Sequence, residues 1–246
     1  MARLFNDAAA DNLSIDSAVV TAMPFTMACW FNSDDLTINQ GLMFIGDKDV
    51  ENHYFILRAA GVAAGDPIAA GARAGNGVQV AVTSTGYSAN TWHHACGVFT
   101  GSTDRTAYID GGSSGSNTGS ATPAGADRTS IGQLRALTPI QPMSGRIAEA
   151  AIWNVALTAA EISVLADGFC PLFVRPSALQ AYWPLVGRYS PEISIRGGFD
   201  LTVTGAVVGD HVRQIHKRAR RVISRVAAAA GPSAGLRTLA LTGVGI

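Results

Sequence analysis

Charged residues are scarce: Asp, Glu, Lys and Arg fill only 15% of 246 positions, where a soluble domain usually carries roughly a quarter. The shortfall fits an unusually large core, surface covered by neighbouring subunits, or an Ala- and Gly-rich composition. Glutamate is rarest, with only Glu51, Glu149, Glu161 and Glu192. Three cysteines, Cys29, Cys96 and Cys170, cannot build a disulfide framework, and none sits in a C-x-x-C pair. Cys29 and Cys96 fall in apolar strand-like runs, where a small buried hydrophobe is the expected role. No apolar run is long enough to span a bilayer, and Met1-Ala2-Arg3-Leu4-Phe5-Asn6-Asp7 lacks the apolar stretch of a signal peptide. Synthesis and assembly in a cytoplasm are therefore expected. A phosphate loop and the EF-hand pattern are both missing.

What charge there is divides by sign. Residues 1–209 hold 11 Lys/Arg against 17 Asp/Glu, a net of −6, whereas residues 210–246 hold 7 against the single Asp210, a net of +6. An acidic body with a basic tail reads as a module that carries its own docking segment. The expected domains are 1–209 and 210–246.

The body is written in short apolar, β-branched and aromatic runs. Strand candidates are 24–32, 42–46, 54–58, 78–83, 92–100, 105–109, 129–134 and 145–153, then 179–185 and 199–208. Turn residues recur about every 8–15 positions with no long helical pattern between them, which argues for an antiparallel sandwich. Phe25-Thr26-Met27-Ala28-Cys29-Trp30-Phe31 is apolar on both faces, so it belongs in mid-sheet with something packed over it. Tyr108-Ile109-Asp110-Gly111 is a strand running into a hairpin turn. The Gly/Ser/Thr-rich stretch 110–126 reads as loop. One short helix stands at 157–165, where Thr158 and Glu161 form a capping box and Gly168 follows.

After Asp210 the texture changes. Val212, Ile215, Ala219, Val222 and Val226 make one apolar stripe on a basic helix, stopped by Gly231-Pro232. Arg213, Lys217, Arg218, Arg220, Arg221 and Arg225 are its docking candidates. The stripe can pack on a protein partner whose acidic surface meets the arginines, or fold back on its own domain. Nucleic acid is the weaker fit without interleaved aromatics, as is a membrane surface without Trp, Phe or Leu on the apolar face.

The ordered motifs Phe25–Phe31, Asn90-Thr91-Trp92-His93-His94-Ala95, Ala107-Tyr108-Ile109-Asp110-Gly111, Ser130-Ile131-Gly132 and Gly145-Arg146-Ile147-Ala148-Glu149-Ala150-Ala151-Ile152-Trp153 carry a family resemblance. With the capped helix and Ala181-Tyr182-Trp183-Pro184-Leu185, the chain resembles the laminin-G-like domains of the concanavalin A-like lectin/glucanase superfamily over about residues 3–208. The resemblance implies an all-β jelly roll of two antiparallel sheets with one short helix, followed here by the basic helical tail. It does not specify function, because that fold hosts lectins, hydrolases, lyases and structural modules.

Candidate chemistry is thin. Trp30, Trp92, Trp153 and Trp183 suit inter-sheet anchors. His93 and His94 point to opposite faces of a strand, so they cannot readily share a metal. Asp47, Asp49 and Glu51 gather oxygen ligands in one loop, which suits calcium or is simply a solvated acidic turn. Hydrolases of the resembled superfamily present paired carboxylates on a Glu-x-Asp-x-x-Glu strand, and this chain has none. Glu161 is used in capping, and Glu149 falls on a core strand. Tyr54, Tyr87, His53 and polar loops are the candidates for glycan contact.

Laminin-G-like domains without signal peptides and with short basic tails are similar to structural proteins of tailed bacteriophages. The expectation is a non-enzymatic virion protein that decorates a capsid or tail through residues 210–246, as a homo-oligomer, and displays a lectin-like jelly roll able to adhere to glycans. The rival expectations are a free carbohydrate-binding lectin and a divergent polysaccharide hydrolase or lyase.

Overall fold

A computed structural model describes residues 1–211, and the docking candidates from Arg213 to Arg225 lie outside the described residues. The chain divides into two units, Met1–His216 and Lys217–Ile246, and every described element belongs to the first. Its strands are β1 (Ala2–Phe5), β2 (Asn12–Ile15), β3 (Phe25–Ser33), β4 (Asn39–Gly46), β5 (His53–Ala60), β6 (Pro67–Ala74), β7 (Gly77–Gly86) and β8 (His93–Gly101). Then come β9 (Asp104–Ile109), β10 (Ser113–Asn117), β11 (Arg128–Ile131), β12 (Gly145–Trp153), the helix α1 (Ala159–Ala166), β13 (Leu179–Trp183), β14 (Thr202–Thr204) and β15 (Val207–Gly209).

These form two antiparallel sheets, the sandwich expected from the turn spacing. The eight-stranded sheet runs β10-β9-β8-β3-β12-β1-β15, with β13 also paired to β12; the seven-stranded sheet runs β14-β2-β11-β4-β5-β6-β7. Side-chain alternation assigns the layers. Phe25, Met27, Cys29 and Phe31 of β3 point between the sheets and meet Leu57, Ile68, Phe99 and Ile147 there. Phe25 stacks on Phe99 at 4.7 Å and meets Phe55 edge-on at 4.9 Å. The other face of β3 is also covered: Ala28 lies with Cys96, Ala151 and Trp153 under Ile162 and Leu165 of α1 and the segment 170–178. That double covering is why the β3 sequence shows no polar alternation.

The capping box is built as read, with Thr158 Oγ1 accepting from the Glu161 N–H and Glu161 returning to the Thr158 N–H. All three cysteines are free and buried, and burial pushes the Cys29 and Cys96 thiols far up. Among the described residues no helix is long and apolar enough to cross a membrane.

The structure corrects the reading at three places. The stretch 110–126 is not all loop, because Ser113–Asn117 pairs with β9 as β10. Asp110 and Gly111, both at positive φ (51° and 72°), turn the chain back. At the other edge of β10, Ser113 Oγ accepts from the Thr85 N–H of β7, and a Cβ on Gly115 would stand 1.9 Å from the Val82 carbonyl oxygen. Small polar residues thus let two sheet margins close on one another. The run 199–208 splits into β14 and β15, which join different sheets either side of Gly205 at φ 76°. And β6, a run of Ala and Gly, is a full strand whose Ala70 and Ala72 face the core.

Candidate functional site

The two outer faces of the sandwich differ. That of the eight-stranded sheet is roofed by α1 and the segment 170–178, whereas that of the seven-stranded sheet is left partly open. Ladder registers place three rows across the open face: Gly41–Arg58–Ala69–Val82, Phe44–Ile56–Gly71–Val80 and Gly46–Tyr54–Arg73–Val78. The intervening residues Leu57, Ala70, Ala72 and Ala81 face the core, which fixes these rows as outward. A loop over residues 132–143 rises above β4. Its Leu134 and Ala136 pack on Phe44, Tyr54 and Ile56, and its Gln141 carbonyl accepts the Gly41 N–H at 2.8 Å. A Cβ at Gly41 would lie 2.8 Å from the Leu134 nitrogen, so glycine is what lets the loop lie on the strand. The result is a step: a loop wall over β4 and a floor of β5–β7, with Val78 and Val82 each 47% exposed.

Two arginines stand on this floor. Arg73 reaches back weakly to the Gly75 carbonyl at 3.4 Å. Arg58 makes no hydrogen bond or ion pair among the described residues, and its Nε is buried. Desolvation holds the Arg58 guanidinium below its usual value. Arg128, beside them, is already paired with Asp16 at 2.8 Å.

One end of the face carries the acidic loop. Asp47 and Asp49 do come together, but with Asp127 of a distant segment, their ligand atoms within 4.8 Å of one another; Glu51 is outside the cluster. Lys48 stands among them, its Nζ 2.6 Å from Asp127 Oδ2 and 2.9 Å from Asp49 Oδ2. Hydrogen bonds to Asp127 and then Asp49 hold this ammonium above its ordinary value. Desolvation pushes the Asp127 carboxyl up, but hydrogen bonds from Lys48 outweigh it and leave the group below the usual range. Calcium needs six to eight oxygens, and here two of three carboxylates already serve an internal cation. As built, Lys48 holds two of the carboxylates that a cation would need. The expected melting temperature is therefore the same in millimolar calcium and in chelator, while Lys48→Met melts lower and becomes calcium-responsive. A calcium-dependent rise in the unaltered protein would show that the ion displaces Lys48.

The sequence-derived glycan contacts are mostly committed elsewhere. Tyr87 is buried against Phe31, Tyr54 is covered by Phe44 and the loop, and His53 Nδ1 accepts the Ala124 N–H. The aromatics most open to solvent among the described residues are Tyr189 and Phe173, 82% and 76% exposed. The adjacent histidines diverge: His93 Nδ1 meets Asp110 at 2.7 Å, and His94 packs on Trp30. Burial pulls the His94 ring down to about 4.

Glu149 lies where β12 changes partner from β1 to β13, at a bulge with φ 54°. It accepts from the Tyr182 hydroxyl and lies 2.8 Å from His211 Nε2. Burial, then Glu149, pushes the Tyr182 hydroxyl far up. The concavity it lines, about 450 Å³, has Met1, Cys170, Leu172, Pro184, Val186 and Ile195 among its walls and no second carboxylate among the described residues. Glycoside hydrolysis generally needs two.

A family model described as the concanavalin A-like lectin/glucanases superfamily matches residues 7–163. No curated protein sequence matches the chain. A candidate carbohydrate-binding protein of Bacteroides ovatus has a similar fold, with TM-score 0.60 and 18% identity over 84% of this chain, which spans 58% of that protein's length. The CBM40 of a Ruminococcus gnavus sialidase, solved with α2,3 sialyllactose, superposes with TM-score 0.52 and 12% identity over 59% of this chain and 84% of its own.

Proposed function

The chain belongs to the concanavalin A-like lectin/glucanase superfamily, and from that premise we propose that residues 1–209 are a non-catalytic, lectin-like module that binds glycan on the outer face of the seven-stranded sheet. The observation that carries this is the unequal roofing of the two sheets. One outer face is sealed by α1, while the other keeps exposed valines and partly exposed arginines beside a loop wall. Apolar strips beside polar groups suit the two sides of a sugar ring. The carbohydrate-binding descriptions of the similar structures favour the same reading.

In this proposal residues 210–246 dock the module on a larger assembly, a phage virion built from repeated copies. The support is the sign split of the sequence, net −6 before and +6 after. The test uses the full chain on a glycan array. Binding is expected, to be lost in Val82→Glu, which changes an exposed floor position; turnover of a polysaccharide would instead favour the hydrolase or lyase reading. Replacing Arg218, Arg220 and Arg221 together by alanine is expected to weaken attachment to the assembly and leave the melting of the sandwich unchanged. Unaltered attachment would remove the docking role.

A further inference from the structure

We propose that the glycan taken by the open face is an acidic one, and that Arg58 receives the carboxylate of a uronic or sialic acid while Gln141 takes a neighbouring hydroxyl. This rests on the glycan-binding reading of that face.

The arginines of the sandwich are largely provided for. Arg3 meets Glu192, Arg128 meets Asp16, and Arg175 meets Glu161. Arg105 is held by Asn117 and two carbonyls, and Arg196 donates to the carbonyls of Leu179 and Pro176. Arg146 also has an unmatched Nε, but it stands on β12 between Leu4 and Asn32, in the other sheet. Arg135, in the loop over β4, has an unmatched Nε too but donates to Gln133 Oε1 at 3.3 Å, which leaves Arg58 as the case on the floor itself. Arg58 has no such partner among the described residues, although its Nε is shut away from solvent. A buried donor left unmatched is costly, and more so when charged. Arg58 is only partly buried, so its terminal nitrogens, which also make no hydrogen bond among the described residues, are the ones a ligand can reach.

Its setting supports that. Directly across the ladder on either side stand Gly41, which lies under the 132–143 loop, and Ala69, neither with a polar side chain to pair with the fork. Gly41 in turn donates its N–H to the Gln141 carbonyl, which anchors Gln141 one strand away from Arg58. Gln141 Oε1 is also buried and also without a donor. Arg58 and Gln141 thus stand on neighbouring segments, each only partly buried, and they do not bond to each other. A ligand that brings an acceptor to the Arg58 fork and a hydroxyl to the Gln141 amide would engage both. A carboxylated sugar does so: its carboxylate fits the guanidinium as a charge-assisted, two-pronged acceptor, and its ring hydroxyls donate. A neutral sugar supplies only the weaker half.

The preference would be local. Residues 1–209 carry net −6, so the overall field of the module opposes an anion, and specific arginines must overcome it. Arg73, two rows along the same floor, offers a second cation to a longer acidic chain, with Val78, Val80 and Val82 beside it for the apolar side of a ring.

The test titrates the full chain with three probes by calorimetry: oligogalacturonate for uronic acids, sialyllactose for sialic acids, and a neutral galacto-oligosaccharide. At least one acidic probe should bind, about tenfold or more tighter than the neutral one, and the responding probe identifies which acid is meant. Arg58→Met should lose that preference, Arg58→Lys should keep part of it, and Gln141→Leu should weaken binding with the preference retained. Melting curves of the variants establish that the sheet is intact. Equal binding of acidic and neutral probes, or an unchanged preference in Arg58→Met, would overturn the role of Arg58 while the glycan-binding reading stands. Failure of every probe and of the wider array would sink both.

Discussion

Arg3→Ala is expected to destabilise the sandwich by about 3–5 kcal/mol, the range for removing one partner of a buried ion pair. Arg3 and Glu192 are each only 2% exposed. The guanidinium spends its donors on Glu192 Oε2 at 2.9 Å, the Ala206 carbonyl at 3.1 Å and the Tyr189 carbonyl at 2.8 Å. Truncation therefore strands a carboxylate and two carbonyls at once. Among the described residues the Glu192 carboxylate then keeps only the Gly187 N–H at 3.2 Å, too little for a charge out of water. The double variant Arg3→Met/Glu192→Leu should recover most of the loss, because it removes both desolvated charges together. Urea denaturation of the three proteins measures this. A double variant as unstable as Arg3→Ala would mean that the pair itself, and not the stranded carboxylate, supplied the stability.

Trp153→Ala should cost a similar amount, about 3–5 kcal/mol. Trp153 ends β12, is fully buried, and donates its indole N–H to the Val174 carbonyl at 2.8 Å. It is thus both floor for Ile162 and Leu165 of α1 and tether for the segment above. Trp153→Phe separates the two roles, keeping most of the bulk and losing the hydrogen bond, for an expected cost of about 1–3 kcal/mol. Limited proteolysis adds position to magnitude, since cleavage in residues 166–178 should accelerate before the rest of the sandwich opens. Equal protection in both variants would show that the roof is held without the tryptophan.

Local chemistry was legible in the sequence. The doubly covered β3, the capping box, the buried cysteines and the Asp110-Gly111 turn each depend on residues within one turn or strand of each other. Three failures share a cause, which is that small residues carry little pattern. Ala- and Gly-rich β6, Ser-rich β10 and the short β14 and β15 acquire strand character only from the neighbour they pair with. The candidate site was less legible still. Asp127 joins Asp47 and Asp49 from 79 residues beyond Lys48, and spacing within the loop pointed to Glu51 instead. Tyr87 has the composition of a rim residue but fills the space beside Phe31. Arg58 reads as one more polar position on a strand; only the pairing that sets it between Gly41 and Ala69 reveals a cation with no acceptor.

The pairing of β1 with β15 has a consequence for biosynthesis. Leu4 lies opposite Val207, and Ala2 opposite Gly209, so the first strand of the sandwich to be made is completed by the last. Its inner margin waits for Gly145–Ile147, and its outer margin stays an unpaired edge until three further residues arrive some sixty positions later. An open edge is a template for another chain. On a polysome, where identical chains emerge side by side, the interval before residue 209 is when β1 is most open to strand exchange with a neighbour. A three-residue clasp is what ends that interval.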